Sequence, residues 1–413
     1  MKRPVFLIVC QVYPPDPASV GQHVADVAGE MARRGYRVVV YTSARGYDDP
    51  SRIYPAQEVR DDVMVRRLPL SSFGKSSIAM RLFGQCLFLM QATVRGLFTR
   101  DLCGIMVSTS PPFCGVAGVV ISRLRTVPLK YWVMDLNPDQ MVAMGILRVR
   151  SFPVRLFDIL NRWTLSRASD IVVLDRFMRE RIYQKLDVGG EIVTLPPWPH
   201  EDKIEDVPRA QNPFRATHVP DGRFVVMYSG NHSNANPIST LLDAAEHLQD
   251  DPRLLVLCVG SGNGKQDVEA RVRRGVANIL SLPYQPFDQI RFSLSAADVH
   301  VVSLGDEMVG IVHPCKIYGA MTVSRPILFL GPTPSHISEL IEQHHIGWQV
   351  RHGDVAGMVR VLQEMMALPQ DQLQAMGRRA AGVTEKELNR NLLMGQFCDV
   401  MQRGLPNPSS PIT

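Results

Sequence analysis

A lysine that follows a proline stands at the start of a short predicted helix in the second half of the chain. The segment is His313-Pro314-Cys315-Lys316-Ile317-Tyr318-Gly319, and Arg325-Pro326 and the apolar run Ile327–Gly331 follow it. A lysine in a first helical turn adds an ammonium to the exposed N–H groups and the positive dipole end, and such a place holds a phosphate. Pro326 stops the helix, and the apolar run predicts a strand buried on both faces. The pattern therefore predicts a phosphate site at the edge of a parallel sheet; a solvated surface lysine is the alternative.

Two glycine loops follow predicted strands in the same half of the chain, Ser229-Gly230-Asn231 and Gly260-Ser261-Gly262-Asn263-Gly264. Ligands of open α/β sheets bind beyond the carboxyl ends of the strands. Glycine lets the backbone approach a phosphate or a base closely and allows positive φ, although a plain strand-to-helix turn is the alternative for Gly260 and Gly262. The spacing of the third glycine does not match the dinucleotide fingerprint, which argues against NAD.

The elements that must position these loops form two similar series. A chain of 413 residues exceeds the size of a single core, so two domains are expected. Apolar runs predict strands in the first half at 5–10, 37–42, 104–108, 129–134 and 171–174. The second half repeats the pattern at 224–228, 254–259, 279–282, 299–302, 327–330 and 348–350. Strands alternating with helical stripes predict α/β domains with doubly wound parallel sheets.

Composition limits the class and the compartment. Seven cysteines are scattered without a CxxC pair, which fits no disulfide framework and favours a reducing cytoplasm. The apolar run Val5–Cys10 is too short for the core of a signal peptide. No His, Cys and Asp residues have metal-ligand spacing and no DxD pair ends a strand, so we expect no essential metal and no other cofactor.

Six short motifs in fixed order resemble one known family, the retaining glycosyltransferases of the GT-B type, specifically group 4 (GT4). The subgroup that builds bacterial envelope polysaccharides shares the Pro-x-Lys-x-Tyr-Gly pattern of Pro314–Gly319. The motifs are Tyr13-Pro14-Pro15-Asp16 with Gly21, Ser110-Pro111-Pro112, Asp135-Leu136-Asn137-Pro138-Asp139, Ser229-Gly230-Asn231, Val259-Gly260-Ser261-Gly262 and Pro314-Cys315-Lys316. The resemblance covers nearly the whole chain.

The resemblance implies two Rossmann-like domains that face each other across a cleft. It places an acceptor domain at 1–195, a linker at 196–222, a nucleotide-sugar domain at 223–385 and a helix crossing back to the first domain at 386–404. Residues 405–413 form a polar tail that we expect to be disordered.

The resemblance also implies the site residues. The donor would contact Gly21, Gly230, Asn231, Gly260, Gly262, Pro283, Tyr284, His313, Pro314, Lys316, Tyr318 and Gly319. Gly21 would present its backbone N–H to the donor phosphate. Lys316 would stabilise charge developing on the leaving nucleoside diphosphate.

Asp135 stands where relatives hold a histidine or an aspartate that faces the sugar. Its carboxylate could bind a hydroxyl, stabilise oxocarbenium-like charge or accept the acceptor proton; an N-cap or turn role is the alternative. Asp139 is a second candidate for acceptor binding. Retention without a placed nucleophile is best described as same-face attack, with the leaving phosphate taking the acceptor proton.

The chain departs from the family pattern at two carboxylates. Ile311 and Gly319 occupy the places of two glutamates, and Glu307 is out of register by four residues. Glu339 could bind the ribose instead, although a solvated helix face is the alternative. The expected arginine or lysine of the Ser-Gly-Asn loop is also missing, because His232–Asn236 carries no charge at neutral pH.

The first half of the chain is strongly basic. Between Val63 and Met134 nine basic residues face one acid, Asp101, which gives this segment a charge of +8. Residues 78–90 are apolar but interrupted by Arg81 and Gln85, so this stretch is too short to span a bilayer. It is either a buried helix or an interfacial element on anionic lipid at the inner face of the plasma membrane. No aromatic residues alternate with the bases, which argues against nucleic acid.

We therefore expect a hexosyltransferase-type enzyme that moves a sugar from a nucleotide-sugar, with UDP favoured, to a lipid-linked or glycan acceptor. The missing carboxylates leave open a catalytically silent nucleotide-sugar-binding or scaffold protein. A sugar-nucleotide epimerase of similar architecture is a third, weaker alternative.

Overall fold

The protein folds as two compact units in a computed structural model. The structure describes residues 3–16, 18–46, 49–71, 78–188, 191–199, 206–219 and 221–408. The first unit comprises Met1–Pro197 and Asn391–Thr413, and the second comprises Trp198–Arg390. Most of the predicted linker, from Trp198 onward, therefore belongs to the second unit, although 200–205 and 220 lie outside the described residues.

The first unit is built on an eight-stranded sheet of order β3-β4-β2-β1-β5-β6-β7-β8. The strands are β1 Val5–Val9, β2 Arg37–Ser43, β3 Gln57–Arg60, β4 Val63–Leu68, β5 Leu102–Ser108, β6 Leu129–Val133, β7 Asp170–Val173 and β8 Glu191–Thr194. All pairs are parallel except β3 with β4. Every residue of β1 is buried, because a parallel sheet is covered on both faces. The predicted central strands are confirmed, whereas β3, β4 and β8 were not predicted.

Helices cover this sheet and order the loops at its edge. They are α1 Ser19–Arg33, α2 Ile78–Leu97, α3 Cys114–Arg125, α4 Asp139–Ala143, α5 Phe152–Leu165 and α6 Arg176–Lys185. Helix α3 contacts both α2 and α5, so these three helices form one layer. Strands β2 and β5 flank β1 on opposite sides, and the chain thus winds in two directions from this point. Such a switch point opens a crevice at the carboxyl ends of the strands.

The last helix of the chain belongs to the first unit. Helix α15 spans Arg390–Gln402, and its Phe397 ring lies 4.4 Å from Trp132. Arg34 donates hydrogen bonds to the Asp399 carboxylate (2.7 Å) and to the Gly395 carbonyl (3.0 Å). The predicted helix began at Lys386, but Lys386 ends the preceding helix and three residues separate the two.

The prediction of a disordered tail from residue 405 is wrong for its first residues. The Tyr36 hydroxyl donates to the Pro406 carbonyl over 3.1 Å. A Cβ added at Gly35 would meet Pro408 at 3.2 Å, so the tail packs against the turn after α1. One hydrogen bond and an apolar contact thus order a segment whose polar composition predicted disorder. Residues 409–413 lie outside the described residues.

The second unit is built on a six-stranded parallel sheet of order β11-β10-β9-β12-β13-β14. The strands are β9 Phe224–Ser229, β10 Leu254–Val259, β11 Ile279–Leu282, β12 Val299–Ser303, β13 Ile327–Leu330 and β14 Gly347–Val350. All six agree with the predicted runs. The helices are α7 Pro213–His218, α8 Ser239–His247, α9 Lys265–Arg273, α10 Ile290–Ser295, α11 Lys316–Thr322, α12 His336–His344, α13 Val355–Ala367 and α14 Gln370–Lys386. The switch point of this sheet lies between β9 and β12.

Candidate functional site

Lys316 lies at the switch point of the second unit. It begins α11, which follows β12, while Asn231 follows the adjacent strand β9. The Lys316 Nζ donates to the Asn231 carbonyl over 2.7 Å and to the Tyr228 hydroxyl, and it stands 4.0 Å from the centre of the Tyr228 ring. The Tyr228 hydroxyl itself donates to the Asn231 carbonyl over 2.9 Å. The sequence predicted Lys316 and Asn231 here; it did not predict Tyr228.

The electrostatic state of Lys316 suits an anionic ligand. Burial lowers the pKa of its ammonium to about 7. Its partners are an aromatic hydroxyl and a carbonyl, and no carboxylate of a described residue pairs with it. An ammonium that has lost water without gaining a counter-charge is stabilised when a phosphate arrives.

The predicted glycines allow two loops to pack closely beside Lys316. Gly230, Gly260 and Gly262 have φ values of +125°, +128° and +133°. A Cβ at Gly230 would lie 2.7 Å from the Lys316 Cε, and one at Gly260 would lie 2.0 Å from the Gly230 carbonyl oxygen. Gly262 packs in the same way on Asn231 and His232. A plain strand-to-helix turn would not need such close contacts. The glycines are needed because a side chain at these positions would keep the two loops and Lys316 apart.

The N–H groups at the start of α11 are less available than expected. The N–H groups of Cys315, Ile317 and Tyr318 donate to the carbonyls of His313, Pro314 and Cys315 respectively, over 3.0 to 3.3 Å. Tight turns of this kind satisfy donors that an isolated helix start leaves free. The expectation of a phosphate interaction therefore rests on the side chain of Lys316.

His313 and Tyr318 form one buried pair on either side of Lys316 in the sequence. The His313 Nε2 and the Tyr318 hydroxyl are 2.6 Å apart, and the His313 ring lies 4.7 Å from that of His336. His336 begins α12, whose N-terminus is fixed by reciprocal hydrogen bonds between Ser335 and Ser338. Pro314 and Gly319 are buried in the same turn. These predicted residues are brought together, and His313 and Tyr318 are hydrogen-bonded to each other.

Pro283 and Tyr284 follow β11 and are exposed. Burial is the main cause of the raised pKa of Tyr228, and the charge of the nearby Tyr284 raises it further. An exposed ring near the strand ends can stack on a base.

The positions without the family carboxylates are closed to ligands. Ile311 is 1% exposed, and Gly319 is buried within α11. Glu307 is exposed. Glu339 is partly buried in the first turn of α12, the helix that carries His336. Its carboxylate is therefore a candidate to replace the missing glutamates.

His232 packs on Tyr228, and the sequence predicted it only as an uncharged residue in place of the family's arginine or lysine. Its ring lies 4.7 Å from the Tyr228 ring. Burial and the ammonium groups of Lys316 and Lys265 lower its pKa to about 4, so it is neutral at physiological pH. The sequence signal that could have identified His232 is its position directly after Gly230-Asn231.

In the first unit, Asp135 follows β6 and is held through its backbone. The N–H groups of Met134 and Asp135 donate to the Thr109 hydroxyl over 3.3 and 3.2 Å. The Asp135 carboxyl lines a cavity of about 30 Å³ with Thr109, Asn137 and Asn161. It forms no ion pair or side-chain hydrogen bond with a described residue, and burial raises its pKa to about 6. This excludes the helix N-cap alternative, since the following helix begins at Asp139 with Pro138 as its cap.

Asp139 is engaged elsewhere. Its carboxylate pairs with Lys185 and, over 3.4 Å, with Arg181, both on α6. These ion pairs join α4 to α6, and an acceptor hydroxyl would have to compete with them.

Gly21 does not present a free N–H. Because α1 begins at Ser19, Gly21 lies in its first turn and donates to the Ala18 carbonyl over 2.9 Å. A Cβ at Gly21 would lie 3.1 Å from the backbone of Tyr13, so the glycine allows the loop after β1 to cross the helix closely.

The basic segment of the first unit divides into paired and unpaired residues. Arg67 bonds Glu58 and the carbonyls of Pro14 and Pro55, and the fully buried Lys130 bonds Asp170. These two bases serve the fold, and Lys75 lies outside the described residues. The exposed bases are Arg81, Arg95, Arg100 and Arg123.

Helix α2 combines both predicted properties. Phe88 and Ala92 are fully buried, whereas Phe83, Met90 and Val94 are 50–56% exposed. One face is therefore core, and the other presents apolar side chains to solvent.

Within the described residues, no helix has the length and hydropathy needed to cross a bilayer. Over the same ranges, no three His, Cys, Asp or Glu side chains come together as a metal site. The absence of an essential metal stays a prediction.

Comparison with known families covers both units. A model described as "Glycosyl transferase 4-like domain" matches residues 19–198, and one described as "Glycosyl transferases group 1" matches residues 223–367.

Two relatives carry names of the same kind. WbjE of Pseudomonas aeruginosa, described as a probable glycosyltransferase, is 26% identical over 272 residues, which are 64% of this chain and 66% of that protein. WcaI of Escherichia coli K12, assigned as a glycosyl transferase of colanic acid biosynthesis, is 22% identical over 93% of this chain and 96% of its own length.

Solved structures show the same fold. HepE of Anabaena, in complex with UDP and glucose, superposes with a TM-score of 0.70 at 15% identity, over 96% of this chain and 99% of that one. Two Rossmann-like units, both family models and named relatives agree. The chain belongs to the GT-B glycosyltransferases of the group 4 family.

Proposed function

We propose that the protein transfers a sugar, with retention, from a UDP-sugar to a lipid-linked or glycan acceptor in the synthesis of a cell-envelope polysaccharide. The observation that carries this proposal is Lys316, whose ammonium is desolvated, oriented by Tyr228 and Asn231, and free of any described carboxylate. WcaI, which is similar over nearly its whole length, is assigned to colanic acid biosynthesis. HepE, which has the same fold, binds UDP and glucose.

In this proposal the second unit holds the nucleotide. The diphosphate binds at Lys316 beside the glycine loops Gly230 and Gly260–Gly262, whose backbones it can approach closely. As the bond to the sugar breaks, negative charge develops on the leaving phosphate, and a preoriented ammonium stabilises that charge without reorganisation. Tyr284 is placed to contact the base, and Glu339 is the carboxylate that we assign to the ribose.

The first unit would hold the acceptor. The unpaired Asp135 carboxylate can bind a hydroxyl or stabilise positive charge that develops on the sugar ring. The leaving phosphate takes the acceptor proton during same-face attack. Asp139, paired with α6, would contribute to acceptor binding only after those ion pairs loosen.

The experiment is turnover of radiolabelled UDP-sugars by the purified protein with and without a membrane extract from its source. The proposal predicts UDP release and label in a lipid fraction, only when the extract is present. Binding of donor without consumption would instead show the silent scaffold that the buried Ile311 and Gly319 leave open. Conversion of the donor without extract would show an epimerase.

We further propose that the first unit contacts anionic lipid at the cytoplasmic face of the plasma membrane. The exposed apolar face of α2 and the exposed Arg81, Arg95 and Arg100 support this. Pelleting with vesicles should rise with their phosphatidylglycerol content and fall with salt, because screening weakens exposed charges. Equal pelleting on neutral phosphatidylcholine vesicles would contradict membrane attachment by charge.

A further inference from the structure

The first unit contains a groove of about 630 Å³ at the amino-terminal ends of β1 and β2. We name it the arginine groove, after the four arginines that line it, Arg37, Arg66, Arg95 and Arg100. Asp135 follows the carboxyl end of a strand of the same parallel sheet. The arginine groove is therefore at the opposite edge from Asp135.

The path of α2 explains why the groove exists. The helix runs from the end of β4 to the start of β5, and Gly96 near its end packs on Leu7 of β1 and on Ile121. It thus passes over β1 and leaves space above β2. The floor of the groove is formed by Val39 and Tyr41, and the Tyr41 hydroxyl donates to the Arg95 carbonyl over 3.3 Å.

Among the described residues, the guanidinium groups of the groove have no counter-ions. Asp101 is the one acidic residue in the described lining, and no ion pair joins it or any of the four arginines to a described residue. The Arg66 Nε is buried without a hydrogen-bond partner. The neighbouring Arg67 also has an unpartnered Nε, but the rest of its guanidinium is bonded to a carboxylate and two carbonyls. A buried donor without a partner is costly unless a ligand satisfies it.

Apolar side chains form one wall and continue outside the groove. Phe98 is 80% exposed and Val94 is 50% exposed, and both line the groove. Met90 lies four residues before Val94 on α2, and Phe83 lies seven residues before Met90. Both are 56% exposed, and these spacings place them on one face of the helix. A cationic pocket thus opens beside a strip of exposed apolar surface.

We propose that the arginine groove binds the phosphodiester head group of an anionic membrane phospholipid, with Val94 and Phe98 against the first carbons of its acyl chains. Guanidinium groups match phosphate oxygens in pairs, and they lose less hydration than ammonium groups. A site of this volume is in the usual range for a small ligand. A free phosphate ester would satisfy the arginines but leave the apolar wall in water. The inference rests on the proposed membrane contact and adds a defined site to it.

The test compares two charge-matched double variants of the full-length protein. Arg66→Gln with Arg95→Gln removes two charges from the groove, and Arg123→Gln with Arg150→Gln removes two exposed charges of the same unit that lie outside both the groove and α2. Binding to sucrose-loaded vesicles of phosphatidylcholine with phosphatidylglycerol is measured for all three proteins, with thermal unfolding as a check of folding. We expect the groove variant to bind these vesicles at least about tenfold more weakly, and the control variant to change by less than about threefold.

The outcomes separate the groove from general attraction by charge. Equal losses in both double variants would overturn the groove and leave the membrane proposal standing. No binding by the unchanged protein would overturn both. Titration with glycerol 1-phosphate gives a third arm, because a groove variant that loses affinity for this ester but not for vesicles would assign the site to a soluble phosphate. An unfolding temperature close to that of the unchanged protein would show that the groove variant is folded.

Discussion

Each unit places one partly buried ionisable group beyond the carboxyl ends of its strands, and no described residue supplies a counter-charge; the two groups have opposite sign. Burial lowers the pKa of Lys316 in the second unit to about 7 and raises the pKa of Asp135 in the first to about 6. Several other buried charges are paired, as Lys130 is with Asp170 and Arg215 is with Asp298. Unpaired buried charge is costly to a fold, so we expect these two positions to serve ligands.

The difference lies in how each group is held. Lys316 is oriented through its ammonium, by the Tyr228 hydroxyl and the Asn231 carbonyl. Asp135 is fixed through its backbone N–H by Thr109, and its carboxylate has no described partner. A preoriented cation suits a diphosphate that always binds in one place. A carboxylate free to rotate suits an acceptor whose hydroxyl must approach.

The largest effect should come from Lys316→Gln. We expect kcat/KM to fall about 10³-fold, because a preoriented charge at the leaving phosphate is lost. Initial rates of UDP release would measure it. Lys386→Gln, which changes an exposed lysine of the same unit, should have no effect. A similar loss in both variants would show that Lys316 acts only through general charge.

Asp135→Asn should have the next largest effect. We expect kcat to fall about 10²-fold while UDP affinity stays unchanged, since the carboxylate would act on the sugar and the acceptor. Steady-state kinetics and calorimetry together separate these two quantities. Weakened UDP binding with unchanged kcat would assign Asp135 to the donor instead.

The packing of the second unit can be tested by Gly260→Ala. A Cβ there would lie 2.0 Å from the Gly230 carbonyl oxygen, at a φ of +128°, so we expect a loss of about 2 kcal/mol or more in the free energy of unfolding. Gly275→Ala is the matched control, because Gly275 also has positive φ (+84°) but no atom within 4 Å of the added Cβ. Denaturant unfolding of both variants would measure the difference. Equal losses would mean that φ alone, and not the contact between loops, sets the cost.

The raised pKa of Asp135 and the lowered pKa of Lys316 predict a narrow pH optimum for kcat/KM. Protonation of Asp135 below its pKa of about 6 and deprotonation of Lys316 above its pKa of about 7 should each lower kcat/KM, by up to about tenfold per pH unit. Asp135→Asn should remove the acid limb. Lys316→Arg should remove the alkaline limb, because arginine keeps its charge. Limbs near the ordinary pKa values of aspartate and lysine would contradict the burial of these groups.

What the sequence predicted was local. Continuous apolar runs such as Leu254–Val259 and Ile327–Leu330 became buried strands, and Pro326 separates α11 from β13 as expected. Lys316 at the start of α11 followed from the same local pattern. Strand β3, Gln57–Arg60, is short and mostly polar, and it is held by pairing with β4 rather than by its own pattern.

What the sequence did not predict depends on distant contacts. Tyr228 and Lys316 are 88 residues apart, and nothing in either segment shows that they meet. The sequence pattern treated every base of the basic segment as available to a ligand, yet Lys130 is paired with Asp170, 40 residues away. Gly21 is a local exception, because α1 begins two residues earlier and the N–H that Gly21 was expected to offer donates to the Ala18 carbonyl. Each difference arises from a partner that only the folded chain supplies.

The most direct test of the central claim is a calorimetric titration of UDP, GDP, ADP and dTDP into the protein and into Lys316→Ala. The account predicts that one nucleotide, UDP, binds tightly, and that its affinity falls at least about a hundredfold in the variant. Absence of binding by all four nucleotides, or binding that Lys316→Ala leaves unchanged, would contradict the placement of the donor diphosphate at Lys316.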